Sequence, residues 1–162
     1  MPKITEQIDL HVPLNTIWDF IHVIDNWASL VPGYIRHNTR SNHSVEIECK
    51  VQVGLLKKKI KLYIDLTDYK ESNTMNFQFR SESKQFTGTG TVTFHLLSPV
   101  QTRMAIYAEI ITKGAMAPII NTFITNTRPN NTGEITALLE EKIKDMQWTS
   151  RNQSNDNRTI AH

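Results

Sequence analysis

The sequence has one cysteine, Cys49, so no intrachain disulfide can form. That fits a reducing compartment, and a lone cysteine within a strand pattern reads as buried core rather than nucleophile. Charge is nearly balanced, at +2 overall, so no general basic field argues for nucleic acid. No apolar run approaches the roughly 18 residues of a membrane span. The opening Met1-Pro2-Lys3-Ile4-Thr5-Glu6-Gln7 carries no apolar stretch of the kind a secretion signal needs, so a cytoplasmic setting is expected. The six histidines (His11, His22, His37, His43, His95, His162) show no pair at the helical i, i+4 spacing of a metal site. Gly88-Thr89-Gly90 falls in a strand pattern, where glycine relieves crowding, and is no nucleotide-binding loop. No motif supports serine-based hydrolysis. No cofactor, metal or nucleic-acid partner is therefore expected.

What is present is enough for one domain. A chain of 162 residues buries roughly 68–70% of its unfolded surface, and its 39% hydrophobic share is ordinary for a globular fold. Residues 4–12 alternate apolar and polar, as a half-buried strand does. At Pro13 the period changes: Ile17, Trp18, Phe20, Ile21 and Ile24 fall at helical spacing, which predicts a short helix over about 14–22. Asp25 or Asn26 can cap a second short helix carrying Trp27, Leu30 and Val31, ending at Pro32-Gly33. From 34 to 113 about six strands follow, separated by turn signals, each with one apolar and one polar face.

After Gly114 the period is helical again. Ala115, Met116, Ile119, Ile120, Phe123 and Ile124 form one stripe, and Ile135, Leu138, Leu139, Ile143 and Met146 a second. Asn126–Gly133 must interrupt or kink the helix between them, with Asn131 and Glu134 spaced as a capping box. Residues 148–162 are almost wholly polar and read as a disordered tail behind a domain over 1–147. A curved antiparallel sheet must cover its apolar face, and only the C-terminal helical segment is long enough to do so. A helix laid across such a sheet leaves a gap in which small molecules bind.

Strand, two short helices, strands, then a long helix: this layout resembles the helix-grip fold of the START-related, polyketide-cyclase-like superfamily over about residues 3–147. Within it the motifs resemble the CoxG family associated with carbon monoxide dehydrogenase. They are Val12-Pro13 before an aromatic-rich helix (Ile17-Trp18-Asp19-Phe20), Pro32-Gly33, Gly54 after a Val-x-Val strand, Gly88-x-Gly90, and Thr102 with Tyr107 leading to Gly114. The resemblance implies an α+β domain with a curved sheet of about seven strands wrapped around a long C-terminal helix, and a ligand-binding scaffold. It implies no single chemistry: CoxG relatives are linked to assembly of a molybdenum enzyme and to membrane recruitment, others bind lipids or cyclise polyketides. The Asn126–Gly133 segment departs from the pattern, since related chains continue there as helix.

The candidate cavity wall is Trp27, Leu62, Ile64, Phe77, Phe79, Phe94, Met104, Ile106, Met116, Ile120 and Phe123. Each of these taken singly reads first as plain core, and some of them must face the gap if the sheet and helix leave one. Glu6 is the one acid on an apolar strand phase and is the sole, weak catalytic candidate, against the plain reading of a strand-end residue reaching solvent. Lys57, Lys59 and Lys61 offer a basic strand face to a partner protein or anionic membrane, against the plain reading of lysines protecting an edge. Three functions follow: a carrier of a small hydrophobic molecule or lipid, an enzyme of the cyclase, dehydrase or hydrolase type acting in the same cavity, and an assembly or recruitment factor.

Overall fold

The computed structural model describes residues 3–69, 73–118, 121–122, 137 and 139–145. Alternation becomes seven strands: β1 (Lys3–Leu10), β2 (Tyr34–Ser41), β3 (Ser44–Val53), β4 (Leu56–Tyr69), β5 (Thr74–Ser81), β6 (Phe86–Ser98) and β7 (Gln101–Thr112). They make one curved antiparallel sheet in the order β1-β7-β6-β5-β4-β3-β2. Strands β2 to β7 form a meander, and β1 joins the far side of β7. The two edge strands are therefore consecutive in the chain, and the helices between them must cross the whole sheet. Thr102, fully buried, ties the β1 edge down by donating its hydroxyl proton to the Val12 carbonyl at 2.9 Å. Strand β2 is irregular, with register shifts between Tyr34 and Arg36 and between Thr39 and Ser41.

Helix α1 (Leu14–His22) starts where expected. Pro13 sits in extended geometry at its N-cap, and the Pro13 carbonyl accepts the Ile17 N–H at 3.2 Å. The expected cap of the next helix differs. Helix α2 (Ile24–Trp27) has Val23 at its N-cap, without a side-chain bond. The Asn26 amide donates instead to the Phe20 carbonyl and the Trp27 indole to the Ile21 carbonyl, each at 3.0 Å. Those side chains satisfy the C-terminal carbonyls of α1, which otherwise lack partners. A 3-10 turn (Ala28–Leu30) leads to Gly33, whose φ is +75°. A Cβ there would lie 2.1 Å from the Lys50 carbonyl oxygen, so Pro32-Gly33 marks a backbone contact that only glycine permits.

At the other end of the chain, a 3-10 turn (Gly114–Met116) leads into helical residues 117–118 and 121–122, and 139–145 are helical. Residues 139–145 lie against the first helices and β1. Ile143 is fully buried beside Leu10, Trp18 and Phe94, and Leu139 packs on the same cluster. Glu140 accepts the His11 N–H at 2.8 Å and contacts its ring at 3.1 Å, while the Lys142 ammonium donates to Ser29 Oγ at 2.6 Å. Ile119, Ile120, Phe123 and Ile124 of the first stripe, the break at Asn126–Gly133, the side chain of Met116 and the tail from 148 lie outside the described residues.

Four carboxyls are held below their ordinary values, 3.8 for aspartate and 4.5 for glutamate: Asp9 by the Arg103 guanidinium, Asp25 by His37, Glu48 by Arg36 and Glu140 by the His11 N–H. Depressed folded values favour the folded state above the ordinary carboxylate range, and that contribution disappears as pH falls through the folded values. Thermal melting should therefore stay level through neutral pH and fall on the acid side of about pH 4. A melting temperature unchanged down to pH 3, measured by circular dichroism, would contradict it.

Candidate functional site

One face of the sheet is apolar because side chains alternate across a strand. On that inner face the described core divides. One cluster gathers β1, α1, the start of β7 and the helical residues around Ile143; a second gathers Val45, Ile47 and Cys49 of β3 with Ile24 and Ala28. A third centres on Ile110, with Ile4, Ile60, Phe79 and Phe86 packed against it. The first two are tightly closed, with Trp18, Ile17, Leu10, Val45 and Ile47 under 2% exposed. Burial pushes the Cys49 thiol up to about 11, so it is an inert core group as expected.

Around the closed clusters, inner-face side chains of β4, β5 and β7 are only half-buried: Leu62, Ile64, Leu66, Phe77, Phe79 and Ile106. Two of these residues are laid flat by their neighbours. Phe77 pairs with Gly90 and Phe79 with Gly88 across β5 and β6. A Cβ at Gly90 would lie 2.2 Å from Phe77 Cζ, and one at Gly88 2.1 Å from Phe79 Cζ. Each ring therefore occupies the room where a side chain on β6 would stand. The rings stack on one another at 6.1 Å and 22°, and Phe79 also meets Phe86 at 5.2 Å. Gly88-x-Gly90, read from the sequence as crowding relief, is a shelf that keeps two phenyl rings low on the sheet.

The expected wall residues thus fall into three groups. Leu62, Ile64, Phe77, Phe79 and Ile106 lie together on the half-buried floor. Phe94 and Met104 are buried in the cluster around Trp18, with Phe94 and Trp18 rings 5.1 Å apart. Trp27 is half-buried and touches both closed clusters. Ile120 and Phe123 lie outside the described residues. Glu6 is half-buried on β1 opposite Ile106. Of the lysines, Lys61 is taken by Glu46 at 3.1 Å, while Lys57 and Lys59 are exposed.

A depression of about 350 Å³ on the outer face is lined by Tyr63, Gln78, Arg80, Thr87, Thr89 and Glu109. Its aromatic ring is already engaged, with the Arg80 and Arg40 guanidinium carbons 4.5 and 5.4 Å from the Tyr63 centroid.

One polar constellation was missed from sequence. Tyr34, on the inner phase of β2, packs against the Val45 cluster, and its hydroxyl lies 2.6 Å from His37 Nδ1. His37 Nε2 lies 2.7 Å from Asp25 Oδ1, which also accepts the Thr39 hydroxyl at 3.0 Å. With Nε2–H donated to Asp25, Nδ1 is left to accept the Tyr34 hydroxyl hydrogen bond. The β2 bulge after Tyr34 is what brings Tyr34 and His37, three residues apart, to bear on each other. Tyr34 to His37 spacing alone carries no such signal. Among the described residues no cluster could hold a metal ion, and no helix is long and apolar enough to cross a membrane.

The seven-stranded curved antiparallel sheet with short helices after its first strand is consistent with the helix-grip fold. The START superfamily protein from Mycobacterium smegmatis superposes with a TM-score of 0.65 at 11% identity, covering 89% of this chain and 98% of that one. The Zhui aromatase/cyclase from Streptomyces sp. R1128 matches at 0.62 and 11% identity, over 87% and 93%. Norcoclaurine synthase from Thalictrum flavum matches at 0.60 and 13%, over 91% and 86%. At such identities the likeness establishes the fold. No family model matches the sequence, and no curated protein matches it significantly. The likeness to the CoxG family stays one of sequence motifs.

Proposed function

We propose that the chain binds a small hydrophobic molecule or lipid between the inner face of its sheet and the C-terminal segment. The observation that carries this reading is the half-buried apolar floor around the closed clusters, with Phe77 and Phe79 pressed down over Gly90 and Gly88. An apolar floor with few polar groups suits a ligand recognised by shape and burial. The solved structures of like fold include a START superfamily protein and an aromatase/cyclase, which is consistent with it.

A second reading is favoured by the Tyr34–His37–Asp25 chain. In it the Tyr34 hydroxyl, hydrogen-bonded to His37, relays a proton to or from the bound molecule, an enzyme role for which strand phase alone points to Glu6. Native mass spectrometry of protein from its own host, followed by extraction, tests both. Recovery of an apolar compound at one per chain is expected; an empty protein that also takes up no added fatty acid would refute the binding reading. Conversion of the recovered compound by the protein, lost in Tyr34→Phe with binding retained, would select the enzyme.

A further inference from the structure

The turn between β3 and β4 has a composition unlike the rest of the surface. From Cys49 to Ile64 the sequence contains no acid, but it has lysines at 50, 57, 58, 59 and 61. At its tip Leu55 is 101% exposed and Leu56 47%. The pairing shows why the tip stands clear. Strand β4 pairs with β3 from Leu56 onward, yet its pairing with β5 begins only at Leu62. Residues 52–59 are thus a two-stranded ribbon projecting beyond the sheet. Lys59 stands directly opposite Lys50, and Lys57 opposite Gln52, all four exposed. Like charges directly opposite are unfavourable within a sheet, and an anionic surface would relieve them. Of the acids nearby, Glu46 pairs with Lys61 and Glu48 with Arg36. Glu48 also acts through space on Lys59 and Lys61, and Glu82 acts on Lys61, so fewer negative than positive charges stand at the ribbon.

Two further connections reach the same end. The Glu82 N–H donates to the Lys61 carbonyl at 3.0 Å, and the Lys113 N–H to the Gln85 carbonyl at 2.8 Å. The β5–β6 turn with exposed Lys84, and the exit of β7 with exposed Lys113, therefore flank the base of the ribbon, with Glu82 as the acid among them. The opposite end also exposes apolar groups, Leu97 at 42% and Val100 at 65%. There the neighbouring charges, Arg103 and Asp9, neutralise each other at 2.8 Å.

We infer that the β3–β4 ribbon docks this end of the protein on an anionic lipid bilayer, with Leu55 and Leu56 entering the interface and the lysines at 50, 57, 58 and 59 against headgroups. A fully exposed leucine at a projecting tip loses its contact with water only by entering another phase. The surrounding ammonium groups select a negative one. This stands apart from the ligand-binding reading, since an empty protein would dock equally.

Sedimentation of the full chain with vesicles of phosphatidylcholine, alone or with roughly a quarter phosphatidylserine, tests it. Binding is expected only to the mixed vesicles and should weaken at high salt, where the screening length falls to about 3 Å at 1 M. Each lysine contributes roughly fivefold to partitioning, so Lys57→Glu, Lys58→Glu and Lys59→Glu together should lower it by about a hundredfold or more. Leu55→Glu should abolish it, and Val100→Glu should leave it unchanged. A dye placed on Leu55→Cys reports insertion directly, because buried Cys49 does not compete for the label; its emission should shift to the blue on mixed vesicles. No binding to mixed vesicles overturns the inference. So does binding that survives both Leu55→Glu and the lysine triple change. A dye at 55 that stays in water overturns the insertion of the tip.

Discussion

Gly88→Val is expected to lower affinity for an apolar probe by about tenfold or more while costing only about 1–3 kcal/mol of stability. The new Cβ would meet the Phe79 ring at 2.1 Å, so the ring must rise. The atom it meets is Cζ, the far end of a side chain that can rotate. The strain is therefore relieved by moving the phenyl into the space above the floor, which is the space a ligand would use. Removing the obstruction should restore binding: Phe79→Ala in the Gly88→Val background vacates the shelf. The two substitutions should couple by roughly 0.5–3 kcal/mol in a double-mutant cycle. Urea unfolding and probe titration on the four proteins give both quantities. Probe affinity unchanged in a folded Gly88→Val protein would mean that the phenyl shelf is not the ligand floor.

Among the described residues 139–145, Ile143→Ala should be the most destabilising truncation, at about 2–5 kcal/mol. The side chain is fully buried in the cluster that also holds Leu10, Trp18 and Phe94, so alanine leaves a void that a close-packed core cannot readily close. The polar contacts around it, Glu140 to His11 and Lys142 to Ser29, are exposed and cannot replace it. Hydrogen exchange in residues 139–145 should accelerate more than in β3, whose core cluster is separate. Equal acceleration in both regions would show that the two clusters unfold as one unit. If Ile143→Ala costs under about 1 kcal/mol, the docking of this helix rests on something other than that contact.

Much of the fold could be read from the residues because sheet alternation and helix spacing differ in period. The strand phases of Ile60–Leu66 and Met104–Ile110, the start of α1 after Pro13 and the α2 region all emerged from that contrast. What could not be read depends on neighbours distant in sequence. The N-cap of α2 moved to Val23 because Asn26 was drawn to the Phe20 carbonyl, a demand set by how α1 ends. Phe77 and Phe79 were legible as inward residues, but their flat pose depends on which residues of β6 stand opposite. That register appears only once the strands are paired. Phe94 and Met104 share the phase of Ile106 yet are buried beside Trp18, since position along a strand decides depth and phase does not. Tyr34, His37 and Asp25 were invisible for the same reason: a bulge in β2 and a helix on another layer bring them together. Lys61 reads like Lys59 by phase, and only the pairing of β4 with β3 sets it beside Glu46.

The irregular β2 has a bearing on how copies of the protein meet in solution. An outermost strand with free backbone groups is a template on which another chain can grow. In β2 the straight pairing runs only from Arg36 to Thr39 before the register breaks on either side. An approaching strand could match four residues there and would then fall out of step, with Arg36 and Arg40 at the boundary. The same kinks that swing Tyr34 toward His37 thus leave this side of the sheet a poor surface for stacking copies into fibrils.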